Sequence, residues 1–145
     1  MTAPDRVRRF RIHTSGRIGP PRWWWVVVHP GVEELRAAGD AWLRRQGAYA
    51  DLSDAVGLCQ PVGWMEYEES PRERHYPASG YAGVVRLAVG EVTAEIVAHE
   101  LVHAAVATYR MNVRPDVRLG VQCGGREEDL AYLYGELFAS FQDRY

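Results

Sequence analysis

Two hydrophobic periods alternate along the chain, and the switches between them delimit its elements. Trp23 to His29 is a dense run of aromatic and β-branched residues closed by Pro30-Gly31, the composition of a buried strand. From Val32 to Gln46 the period becomes helical. Leu35, Ala38, Trp42 and Leu43 share one stripe, charges take the other side, and Gly47 marks the stop, so this helix should lie on the sheet. Upstream, Arg6 to Ile18 shows some apolar alternation and ends among Gly16, Gly19, Pro20 and Pro21, which suits an edge strand followed by a turn. Tyr81 to Val89 reads as a further strand, with Val85, Leu87 and Val89 on one face and Val84, Arg86 and Ala88 on the other. Val92 to Arg110 lacks Gly and Pro and is rich in Ala, so it predicts a long helix capped by Thr93. A loop from Asn112 to Gly125 precedes a last helix from about Arg126 to Gln142. Between residues 48 and 79, Gly57, Pro61, Gly63, Pro71 and Pro77 interrupt short apolar pieces and an acidic patch at Glu66, Glu68 and Glu69, and the pattern assigns no element. The sum is an α+β fold: a small twisted, mainly antiparallel sheet packed on helices.

Composition narrows this picture. With 145 residues, 47% of them hydrophobic, the chain can bury one sizeable core, and no linker or repeat divides it, so residues 1–145 are read as a single domain. A net charge of −2 gives no broad pull toward nucleic acid or anionic membranes, and neither is expected as a partner. Met1 to Ile12 lacks the apolar stretch of a signal peptide, and Trp23 to Val28 is far too short to span a bilayer, so a cytoplasmic protein is expected. In that compartment Cys59 and Cys123 are expected to stay reduced. The three successive tryptophans read as core packing rather than a stacking platform, because alternation sends them to both faces of a strand. Arg6, Arg8, Arg9 and Arg11 suit a charged edge that discourages aggregation as well as they suit a partner contact.

Candidate chemistry sits in the long helix. Residues 99 to 103 read His-Glu-Leu-Val-His, so two imidazoles stand one helical turn apart, able to share a zinc ion, with Glu100 beside them. Every other residue from Ile96 to Ala107 is Ile, Val, Ala or Leu, which predicts a helix buried nearly all round. Inside a core, this trio would be costly unless coordinated, and a divalent cation would satisfy all three groups. The competing reading is a pair of ordinary core histidines bonded to carbonyls, with Glu100 reaching solvent. Zinc needs a third protein ligand, and no histidine follows His103. The options are His13, His29 and His75 upstream, or a carboxylate among Glu127, Glu128 and Asp129 at the start of the last helix. Glu128 is preferred because it heads a stripe with Ala131, Gly135 and Ala139 that would permit close approach to the metal helix; geometry leaves Glu127 open.

The set His99-Glu100-x-x-His103 with a later glutamate resembles the zincin metallopeptidases, in the branch whose third ligand is glutamate. The metzincin extension would want Gly at 106 and His at 109, where Val106 and Tyr109 stand, and the thermolysin-like branch would want Asp where Tyr132 stands. The segment from Glu128 to Leu137 is similar to the Glu-x-x-Ala-Tyr-Leu-x-Gly-x-Leu helix of small zincin-like metallopeptidases of phages and prophages, a resemblance covering about residues 81–137. It implies a zincin-like fold with a buried metal-binding helix, zinc held by His99, His103 and Glu128, Glu100 as general base, and a peptide or protein substrate. It also implies that the strand from Tyr81 to Val89 borders the cleft, against the equal alternative of an interior strand that binds nothing, with Tyr109, Tyr132, Tyr134 and His75 as candidates for oxyanion stabilisation. Two other classes remain: a non-enzymatic zincin-like module in which metal stiffens a protein-binding surface, and a metal-free helical core with a structural or repressor-like role.

Overall fold

Six tryptophans and valines of one strand decide where the sheet lies. A computed structural model describes residues 6–62, 79–112 and 125–145, the last stretch without the side chains of its first two positions. Strand β1 (Arg8–His13) pairs antiparallel with β2 (Trp23–His29), as the pattern predicts for a charged edge beside an apolar strand. Helix α1 (Val32–Arg45) follows, then β3 (Gly57–Pro61), β4 (Tyr81–Ala88), α2 (Ala94–Asn112) and α3 (Gly125–Arg144). The sheet order is β1-β2-β4-β3, with β2 and β4 parallel at the centre and β3 antiparallel on β4. The fold is thus α+β with a mixed sheet; the expected mainly antiparallel sheet is corrected at its middle joint, where the long excursion from residue 30 to 80 allows β4 to run alongside β2.

Alternation along the strands sorts the helices onto two faces. Trp24, Val26, Val28, Val85 and Leu87 join Val97, Leu101, Ala104, Tyr109, Leu133 and Leu137 in one apolar cluster beneath α2 and α3. The opposite face meets α1, whose buried residues are Leu35, Gly39, Trp42 and Leu43, close to the predicted stripe. On that face Arg86 donates from Nε to Gln60 Oε1 (2.7 Å), and its Nη1 lies 3.2 Å from His29 Nε2, while Gln60 Nε2 donates to the Gly39 carbonyl (3.0 Å). Gly83 has φ +149°, and a Cβ there would collide with the Gln60 carbonyl and lie 2.6 Å from the Trp24 ring, so the β2–β4 irregularity beside Trp23 and Trp24 depends on it.

The three tryptophans divide as strand geometry requires. Trp24 is in the core, while Trp23 and Trp25 are half-buried on the other face under the Arg11 guanidinium, 4.0 and 4.9 Å from their ring centres. Arg8 donates to the carbonyls of Arg144 and Tyr145 and so fastens β1 to the end of α3. No helix among the described residues is long and apolar enough to cross a membrane. Cys123, His75 and the acidic patch at Glu66, Glu68 and Glu69 lie outside the described residues; Cys59 is half-buried on β3.

Candidate metal centre

Helix α2 is held at both ends before it presents any chemistry. The Thr93 hydroxyl accepts from the Ile96 amide (3.2 Å), the predicted cap, though the helix proper starts at Ala94 rather than Val92. Farther along, Thr108 donates to the Ala104 carbonyl (2.8 Å) and accepts from Trp24 Nε1 (3.1 Å), joining α2 to the central strand. At the C-terminal end Asn112 donates to the carbonyls of Ile18 and Pro20 (both 2.9 Å) and accepts from Arg22 Nε. The face between these anchors is set by packing rather than by loops.

That face differs from the expected one. Val97, Glu100, Leu101, Ala104, Ala105, Thr108 and Tyr109 are buried, but His99 and His103 are exposed and Val102 is 47% exposed. A helix buried nearly all round is therefore corrected: the alanines and valines suffice for a core on one side, and the apolar residues left over remain at the surface. The desolvation argument for a metal consequently applies to Glu100 alone.

The two histidines nevertheless converge. His99 Nε2 and His103 Nε2 stand 3.2 Å apart, with the rings steeply inclined at 71°. Two nitrogens bound at about 2.0–2.1 Å to one tetrahedral zinc would be separated by about 3.3 Å, so the pair fits a two-point grip on such an ion. Glu100, one residue on, turns toward the sheet. It is 6% exposed, accepts no hydrogen bond among the described residues, and packs on Gly57 of β3: a Cβ at that glycine would lie 3.0 Å from Glu100 Cγ and 3.1 Å from its Oε1. Burial pushes the Glu100 carboxyl up to about 7, against the opposing pull of a charged His99.

The third ligand is not brought to the pair. Among the described residues no group of three His, Cys, Asp or Glu side chains is arranged to hold a metal ion. Glu128 is exposed, as are Ala131, Gly135 and Ala139, and a Cβ added at Gly135 would meet nothing within 4 Å. The small-residue stripe thus faces solvent, and Leu133 and Leu137 bury the other side of α3 instead. Glu127 lies closer to α2, lining an apolar groove with Val102, Ala105, Leu130, Ala131 and Tyr134. Of the other expected ligands, His29 is engaged with Arg86 on the α1 face. His13 on β1 packs with the α3 end, its amide bonded to Ser140.

Strand β4 does not border the site, because β3 pairs along its outer side; among the described residues the sheet edge beside α2 belongs to β3. A groove of about 310 Å³ runs between that edge and the first turns of α2, lined by Asp54, Ala55, Val56, Gly57, Glu95, Ile96, His99 and Glu100. Sequence reasoning missed Asp54, Gly57 and Glu95. Only Glu95 carried a signal, since it stands four positions before His99 and shares the histidine face. Comparison of the chain with protein-family models, with curated proteins and with solved structures finds no match.

Proposed function

We propose that this chain is a zinc-dependent hydrolase of peptide bonds, in which His99 and His103 grip the ion, a carboxylate at the start of α3 completes the ligand set, and Glu100 moves the proton. The observation that carries this reading is the 3.2 Å approach of two imidazole nitrogens on the same helix turn as a buried carboxyl that lines a groove. Bound zinc would lower the pKa of a coordinated water toward about 7 and polarise a carbonyl. Glu100, the neighbour of His99 on the helix and walled in by β3, would be the group to accept the proton of the attacking water and return it to the departing amine. Gly57 of β3 packs against the Glu100 side chain and Ile96 and so fixes where the carboxyl stands in the groove.

Glu128 is the proposed third ligand on the pattern it shares with phage-type metallopeptidases, and Glu127 is the second reading, favoured by its place in the groove between α2 and α3. The test is elemental analysis with peptide cleavage on the whole chain. The expected result is near one zinc per chain, retained in Glu100→Gln with hydrolysis reduced by about a thousandfold or more, and lost in Glu128→Ala but kept in Glu127→Ala. Zinc absent from the wild-type chain would end the proposal. Full biological activity in Glu100→Gln would favour the non-enzymatic zincin-like module.

A further inference from the structure

The groove beside Glu100 has a distinct chemistry of its own. At its mouth are two exposed carboxylates, Asp54 in the turn before β3 and Glu95 in the first turn of α2. Its inner end is Glu100, a carboxyl that is nine-tenths buried, faces into the groove and accepts no hydrogen bond among the described residues. Ala55, Val56 and Ile96 supply apolar walls between mouth and inner end, and no arginine among the described residues lines the space. Arg36 bonds to the Ala55 carbonyl (3.0 Å), but it pairs with Glu33 and lines a different hollow under α1.

A partly apolar groove with two exposed carboxylates, Asp54 and Glu95, on its lining suits a side chain that has an aliphatic stem and a cationic head. A volume of about 310 Å³ is ample for one such side chain. Because the groove opens on His99 and Glu100, whatever fills it belongs to a residue adjoining the bond under attack. We propose that the groove selects an arginine or lysine side chain of the substrate next to the scissile bond, with Asp54 and Glu95 as the specificity-determining residues. This rests on the hydrolase reading for the word substrate, but the groove's preference for a cation is separable from catalysis.

The experiment uses the whole zinc-loaded chain and three peptides identical except at one central position, which carries Arg, Leu or Glu. Cleavage is followed on the wild-type chain and equilibrium binding on Glu100→Gln. The Arg peptide is expected to exceed the Glu peptide by about tenfold or more in both measurements, and the double reversal Asp54→Lys, Glu95→Lys is expected to invert the order. If the reversed chain does not fold, the neutralised pair Asp54→Asn, Glu95→Gln is expected to abolish the preference. Arg-selective binding without cleavage supports the groove and overturns the hydrolase. Cleavage without charge selectivity, or a selectivity that neither double variant moves, overturns the groove and leaves the hydrolase standing. Peptides that are neither bound nor cut overturn both.

Discussion

His29 can accept a hydrogen bond from Arg86 only while its own ring is neutral, and it sits at the end of β2 with 5% of its surface exposed. Burial lowers its pKa to about 4, helped by the charges of Arg86 and Arg9 and opposed by Glu34. The unfolded chain protonates this ring near 6.5, so its contribution to stability is complete above that pH and is lost as pH falls from 6.5 toward 4. The loss is on the order of 2–3 kcal/mol. Glu100 acts in the opposite sense: its raised pKa withdraws stability as pH climbs from 4.5 toward 7. The effect of His29 is therefore best read as a difference, by urea unfolding of wild type and His29→Gln at pH 7 and pH 4.5. The gap between the two proteins should shrink or reverse at the lower pH; a gap that does not change would show that the folded chain protonates the ring as readily as the unfolded chain does.

At the scale of elements, the contact that matters most for the proposed chemistry is β3 against α2. Gly57 leaves room for the Glu100 side chain, and an added methyl would stand 3.0 Å from both Glu100 Cγ and Ile96 Cγ2. Gly57→Ala should therefore shift the carboxyl by a few tenths of an ångström, cutting peptide cleavage by about tenfold or more while changing stability by no more than about 1–3 kcal/mol and leaving zinc content intact. An unaltered cleavage rate would mean that Glu100 does not need this wall. The sequence foretold β2, α1 and the capped start of α2 because each has a strong period and a residue that punctuates it: Pro30-Gly31, Gly47, Thr93. Strand β3 was illegible. It has five residues, includes Gly57, Gln60 and Pro61, and owes its existence to pairing with β4, which comes later in the chain. Its presence makes Tyr81–Ala88 an interior strand rather than the border of a cleft. The stripe through Glu128 misled for a related reason: α3 carries two stripes of helical period, and the one bearing Leu133, Leu137 and Phe141 has more apolar area to bury. The histidine spacing itself was legible, and the convergence of the two rings follows from it.

For the molecule as a whole, the apolar cluster joining the sheet to α2 and α3 is complete without the histidines, which remain at the surface. Far-UV circular dichroism should therefore be unchanged by a strong chelator, in contrast to small domains that unfold without metal. Added zinc should raise the melting temperature by several degrees, since about 2.7 kcal/mol is gained at a hundredfold excess over Kd. Unfolding in chelator would show that the ion is part of the scaffold, and a melting point indifferent to zinc would favour the metal-free reading.

The parallel joint between β2 and β4 also governs how this molecule assembles. His13 and Trp23 are only ten positions apart across the first hairpin, whereas Val26 and Val85 are separated by 59. Closing the larger loop costs about 1.5 kcal/mol more in chain entropy, so the hairpin can zip early while the sheet waits for its middle. Gly57 meets Glu100 only once β3 has docked on β4 and α2 on β3. A refolding time course should accordingly recover helical signal well before it recovers any capacity to cut a peptide.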